Sequence, residues 1–179
     1  MLSSIDHRPI HPHSIIRQSD FDQGKTMHLT ILVGTMTGTA ELVAEEIQDS
    51  VESSGHSVDV KLMDGLDASA IQPDGAYLIV TSTYGQGDIP DNTRTLMESL
   101  QQSRPDLSRV RYGIFALGDR TYAATFCLGG KQFDEILHDL GAQRIGAMLM
   151  HDASAGTMPE EVALEWIADW MGRFEESTA

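Results

Sequence analysis

The amino-acid sequence predicts an α/β fold built on a five-stranded parallel sheet with helices on both faces. Three observations carry this expectation. Short apolar runs alternate with segments of helical spacing along most of the chain. Two of the runs, residues 29–33 and 76–80, are apolar enough to be buried on both sides, as strands inside a parallel sheet must be. The segments after the first, third and fourth runs are irregular, rich in small residues, and fall on the rim where the strands end. Right-handed crossovers then place the connecting helices on the two faces.

The first strand, residues 29–33, carries Leu29, Ile31, Leu32 and Val33 and runs into Gly34, Thr35, Met36, Thr37, Gly38 and Thr39. Leu42, Val43, Ile47 and Val51 recur at helical spacing over residues 40–51 and are expected to face inward, with Gly55 ending that helix. Residues 57–62 alternate through Val58, Val60 and Leu62 as a second strand, and Asp64, Gly65 and Asp67 form a loop. The third strand, 76–80, leads into TSTYGQGDIPDN, residues 81–92. Asp91 or Asn92 is expected to cap a helix through about Gln102, with Leu96, Met97 and Leu100 inward. A fourth strand, 112–117, gives way to GDRTYAATFCLGG, residues 118–130, and to a helix over about 131–140 stopped by Gly141. Residues 144–150 read as the fifth strand and 159–171 as a last helix, with Val162, Leu164, Trp166, Ile167 and Trp170 at its core positions.

A length of 179 residues suits one domain with a full core. No run of about 18 apolar residues is present to span a membrane. Residues 1–26 hold His7, His11 and His13 without a sustained period, and are expected to form a disordered extension before a domain over 27–179, with Met27 a candidate start. The histidines have metal-ligand chemistry but no scaffold. The charges of this extension cancel, so the net charge of -15 belongs to the domain. Such a surface repels nucleic acid and anionic lipid and favours basic protein partners. The lack of a secretory core and the single Cys127 point to a reducing cytoplasm, with Cys127 read as a buried small residue.

The loop 34–39 lies between a strand end and a helix start, where unpaired N–H groups and Thr hydroxyls can hold a phosphate. It contains no Lys or Arg, which argues against a GxxxxGK[ST] loop and metal-assisted phosphoryl transfer. Tyr84 beside Thr83 and Gly85-Gln86-Gly87, and Tyr122 between Thr121 and Ala123, are aromatics flanked by small residues, suited to sandwiching a flat ring system. Gly85 and Gly87 also let a peptide turn over, so that a carbonyl meets a protonated ring nitrogen in one redox state only. His151 and Asp152 follow the fifth strand on the same rim. They read equally as electrostatic neighbours of a ligand and as a solvated loop. No Ser-His-Asp order, HExxH or paired-Cys motif offers a competing chemistry, and no catalytic or metal-ligating residue is assigned.

GTMTGTAE, STYGQGDIPDN, LGDRTY, FCLGGK and the later LGAQRI together resemble the FMN-binding flavodoxin-like domain. They are similar to the short-chain proteins of the MioC kind and to the FMN domains of sulfite reductase and other diflavin reductases, over about residues 28–172. The resemblance implies the strand order 2-1-3-4-5. It implies that Thr35, Met36, Thr37, Gly38 and Thr39 cradle the FMN phosphate. Thr83, Tyr84, Gly85 and Gly87 would line one face of the isoalloxazine, and Leu117, Gly118, Asp119, Tyr122 and Phe126 the other. Met36 stands where the family has a polar residue, and the segment between Tyr122 and Phe126 is one residue longer than in near relatives. The function implied is that of a free-standing, monomeric, acidic flavoprotein of electron transport. It would take single electrons from a basic-surfaced reductase of the ferredoxin/flavodoxin-NADP reductase type and pass them to an acceptor enzyme. The alternatives are an FMN-dependent NAD(P)H:quinone-type oxidoreductase and a non-redox regulatory module of the same fold.

Overall fold

In the computed structural model, which describes residues 26–179, the apolar run at the start of the domain becomes β1, His28–Gly34, near the middle of the sheet. Its residues after His28 are all buried because both of its faces are covered. It pairs in parallel with β2, Ser57–Leu62, on one side and with β3, Ala76–Ser82, on the other. Beyond β3 lies β4, Arg111–Gly118, which carries β5, Gln143–Arg144, and β6, Leu149–Asp152, along its outer edge. The order β2-β1-β3-β4-β5 is the one the resemblance implies.

The side-chain alternation of the strands divides the interior in two. Leu29, Ile31 and Val33 of β1 point to the face covered by α1, Thr39–Ser53, and α4, Pro159–Thr178. Leu32 of β1, Ile79 and Ile114 point to the face covered by α2, Arg94–Ser103, and α3, Leu128–Asp139. Leu96, Met97 and Leu100 of α2 are buried as expected, and Gly55 and Gly141 follow the ends of α1 and α3. No helix of the described residues is long and apolar enough to cross a membrane. The expectations for the N-terminal extension and its histidines fall on residues 1–25, outside the described residues, apart from Thr26.

Several elements depart from the sequence reading. The fifth strand is broken in two: after Arg144 the chain leaves the ladder, passes Gly146 at φ 69, and rejoins β4 only at Leu149. Arg144 holds the break, its Nε donating to the Gly146 carbonyl at 3.2 Å while its guanidinium pairs with Asp134 of α3. The strand also continues to Asp152, two residues beyond its expected end. Neither Asp91 nor Asn92 caps α2, since residues 91–93 form a 3-10 turn and Thr93 takes the cap position. The third helix starts at Leu128 and takes in Gly129 and Gly130. A Cβ on Gly130 would stand 2.5 Å from that of Ala116, and one on Gly129 would stand 2.7 Å from the Ser82 carbonyl oxygen. These glycines let the helix press against the sheet. Leu42 and Leu164, expected inward, are exposed, and Ala44 and Ala163 are buried instead. Trp170 is a core anchor, while Trp166 is only partly buried.

On the opposite face Gly113 makes the same kind of allowance for Trp170, whose Nε1 would be 2.4 Å from a Cβ added there. Gly113→Ala should therefore cost about 1–3 kcal/mol through overpacking. Gly172, inside α4 with open space around it, should give about 1 kcal/mol of added stability when changed to Ala. Urea unfolding of the two variants should move the midpoint in opposite directions at unchanged slope.

Candidate functional site

The carboxyl ends of β1, β3, β4 and β6 enclose a cavity of about 590 Å3, the position expected of a ligand site in an open α/β sheet. Its first wall is the loop between β1 and α1. Thr37 and Thr39 line it. Thr35 shapes the loop, accepting the Gly38 N–H on Oγ1 at 2.9 Å and donating its own N–H to Asn92 Oδ1 at 3.2 Å. Asn92 Nδ2 donates in turn to the Val33 carbonyl and to Asp64, so that one amide ties the end of β1 and this loop to the loop after β2. The N–H groups of Met36, Thr37, Thr39 and Ala40 meet no acceptor among the described residues. Together with the positive end of α1 and the two hydroxyls they make a neutral donor set for an anion. Met36 is 45% exposed, and its sulfur meets the Asp91 N–H at 3.5 Å, away from the wall.

The second wall is Ser82, Thr83 and Gly85. Tyr84 and Asp88 exchange backbone hydrogen bonds at 2.9 and 2.8 Å, closing a tight turn with Gly85 at φ 48 and Gly87 at φ 100. Of the two glycines expected to let a peptide turn, Gly87 has its carbonyl fixed by Gln132 Nε2 at 3.2 Å. The Gly85 carbonyl has no partner among the described residues and is the one left to turn. Thr83 accepts the Gly129 N–H on its hydroxyl at 3.1 Å, which joins this wall to the start of α3. Tyr84 is 39% exposed and stands outside the wall, beside the mouth of the cavity.

Leu117, Gly118, Asp119, Tyr122 and Thr125 make the third wall. Asp119 accepts from the Thr121 N–H at 2.8 Å and from its hydroxyl at 2.5 Å, and the Tyr122 carbonyl accepts from Thr125, so the segment is a pair of consecutive turns. The turns leave Tyr122 67% exposed at the mouth, where a ring has little reason to stand without a stacking partner. They also tuck Phe126 inward. Phe126 is 8% exposed in the core, with the Arg120 guanidinium 4.7 Å above its ring and Lys131 bound to its carbonyl, so it does not line the cavity as the resemblance implied. Cys127 is buried as expected: its S–H reaches the Ala116 carbonyl, and burial pushes its pKa up to about 11.

The fourth wall, His151, Ala153, Thr157 and Pro159, carries no motif. Extending the fifth strand by two residues would have revealed it, because His151 then alternates with Leu149 and falls beside Leu117. Asp152 ties this wall to the third. Its Oδ1 accepts from the Arg120 N–H at 3.0 Å and from the N–H and hydroxyl of Ser154 at 3.0 and 2.7 Å, and these bonds, the Arg120 N–H first, hold its carboxyl below the usual range. Among the described residues no cluster of His, Cys, Asp and Glu could hold a metal, and no Lys or Arg lines the cavity. The arrangement suits an elongated ligand with an anionic end at Thr37 and Thr39 and a flat body between Gly85 and Tyr122.

The Flavodoxin family model matches residues 31–166. Flavodoxin YqcA of Escherichia coli K12 is 42% identical over 140 residues, which is 78% of this chain and 93% of that protein. Protein MioC of the same organism is 36% identical over 80% of this chain and 95% of its own length. Among solved structures, a single-residue mutant of Flavodoxin from Pseudomonas aeruginosa superposes with a TM-score of 0.74 at 35% identity, over 82% of this chain and 98% of that one.

Because the folded-state pKa of Asp152 is depressed, its stabilising contribution is present above the ordinary carboxylate value near 4 and is lost as pH falls through the folded value. Asp152→Asn should shallow the loss of stability between about pH 5 and 3, read from urea midpoints. Parallel acid limbs for the two proteins would mean that the carboxylate contributes nothing through its charge.

Proposed function

We propose that this chain, which belongs to the flavodoxin family, is an electron carrier that binds FMN in this cavity and moves single electrons from a separate reductase to an acceptor enzyme. The observation that carries the reading is the joining, in one cavity, of a neutral anion cradle at Thr37 and Thr39 to a wall with a solvent-standing Tyr122. FMN, when bound, supplies the one-electron chemistry. The chain supplies the binding and the electrostatics. Thr37, Thr39 and the free N–H groups of the first loop would hold the phosphate by charge-assisted bonds that need no cation. Thr83 and Gly85 would bring backbone against one face of the ring, and Leu117, Gly118 and Tyr122 would cover the other. Gly85, whose carbonyl is free to turn, would reach a ring nitrogen when the charge there changes. The closed turns on either side of the mouth would leave the ring edge open to a partner protein.

The described domain carries the net charge of -15, and acids crowd the helices that flank the sheet, as in Glu45, Glu46, Asp49 and Glu52 of α1. A basic-surfaced reductase and acceptor fit such a surface, since complementary charge raises the rate of encounter.

FMN should bind one per chain and colour the protein yellow. Thr37→Ala or Thr39→Ala should weaken FMN by about 1.5–3 kcal/mol, the value of a hydrogen bond to a charged group, and leave riboflavin affinity unchanged. Isothermal titration of the two ligands decides this, and equal binding of riboflavin and FMN would remove the phosphate role from the first loop. Electron transfer from a basic reductase should slow as salt rises, because screening shortens from about 10 Å at 0.1 M to about 3 Å at 1 M. Stopped-flow rates that do not change with salt would rule out charge-guided docking. Oxidation of NADPH by the purified chain without any reductase would favour the self-sufficient enzyme instead.

A further inference from the structure

At the end of β1 away from the cavity, one side chain fastens the point where the chain enters the domain. His56 stands between α1 and β2, its side chain 14% exposed. Its Nδ1 accepts the Met27 N–H at 3.3 Å, and its Nε2 faces Glu175 of α4 at 4.0 Å. A nitrogen that accepts a hydrogen bond must keep its lone pair, so the hydrogen of the neutral ring is on Nε2. The Met27 carbonyl is engaged as well, accepting the Ser57 N–H at 3.0 Å. Both backbone groups of Met27 are thus held one residue before β1 begins. The carbonyl is held by backbone, which does not titrate, and the N–H by a side chain that does.

We propose that His56 is an acid-released latch on the entry to β1. A proton taken from water binds Nδ1, and the Met27 N–H loses its acceptor. No rotation of the ring restores the bond, because both nitrogens of an imidazolium carry hydrogen. Histidine is the side chain whose charge ordinarily changes between pH 5 and 8, so the latch is closed at the upper end of that range and open at the lower. Opening stops at the sheet. The ladder between β1 and β2 starts with His28 and Ser57, and the Ser57 N–H still holds the Met27 carbonyl, so the chain that precedes Met27 remains tethered by that one backbone bond. The seven residues of β1 separate the latch from the cavity by about 20 Å.

Four elements meet at this corner, and each brings charge. The last turns of α4 carry Arg173, Glu175 and Glu176, and α1 ends with Glu52. Asp59 and Lys61 stand on β2. On β1, His28 has its Nε2 3.5 Å from Asp59 and its Nδ1 2.9 Å from the Ser57 hydroxyl. Acids outnumber bases among these groups, so an imidazolium at His56 has counter-charges at hand, Glu175 first. His28 also titrates, but its ring bonds to Ser57 and not to the Met27 N–H.

The test follows the Met27 amide of the full chain by proton–nitrogen NMR, measuring its exchange with water from pH 8 to pH 5 relative to an unstructured peptide. Protection should fall about fivefold across that range, the worth of one hydrogen bond. In His56→Asn the side-chain Oδ1 takes the place of Nδ1 and accepts without titrating, while His28 is left as it was. Protection in this variant should not change with pH. Constant protection in the wild type overturns the proposal, and so does a fall in the variant as large as that in the wild type. If the variant fails to fold, ring nitrogen spectra of the wild type replace it: at pH 8 the His56 hydrogen should be on Nε2, and the Met27 amide shift should move with the His56 midpoint. A hydrogen on Nδ1 at pH 8, or a Met27 shift that follows another midpoint, overturns the proposal. Flavin enters none of these measurements, so their outcome is separate from the reading of the cavity.

Discussion

Close approach of helices to both faces of β4 is the constraint on which the rest of the structure depends. Gly113 admits Trp170 on one side, and Ala116 admits Gly130 on the other. A layer this thin brings the start of α3 against the end of β3, where Gly129 bonds Thr83 and Gln132 reaches the Gly87 carbonyl. The loop after β3 is thereby built on a helix that follows the neighbouring strand, β4. If α3 stood one methyl group further out, the turn at Gly85 would lose its support and the cavity its second wall.

The first wall is fixed by a different device that obeys the same logic. This loop of Gly and Thr leaves its one apolar side chain, Met36, 45% exposed, so polar bonds must set its shape. Asn92 supplies them from the 3-10 turn before α2, joining Thr35, Val33 and Asp64. That role explains why Asn92 does not cap the helix. Its amide is already committed to the loop. The third and fourth walls are joined in turn by Asp152, so each irregular segment at the rim is braced by a side chain from another.

Much of this was legible in the sequence. The doubly apolar runs at 29–33 and 76–80 announced a parallel sheet, and the Gly/Thr loop announced where an anion can sit, because both follow from local chemistry. What escaped depends on distance between elements. Gly129 and Gly130 read as a loop, since nothing local says that a helix will need to touch Ala116. Leu42 and Leu164 read as core because their spacing fits, but α1 and α4 bury Ala44 and Ala163 in the shared core and leave the leucines exposed. Phe126 turns inward because the segment before it closes into two turns. His151 was placed on the rim by the sequence, but its burial in the wall depends on a strand that runs on past the point where its apolar character fades.

Among the described residues no Lys or Arg lines the cavity, and this has a further consequence. A phosphate held by neutral donors alone keeps its charge, roughly -1.5 to -2 near pH 7. With FMN held as proposed, the filled molecule would be more anionic than the empty one near this rim. A basic partner can tell the two apart by charge before any contact forms. On the proposed function the unloaded chain would compete poorly for docking, and loading with cofactor would become the condition for being recognised.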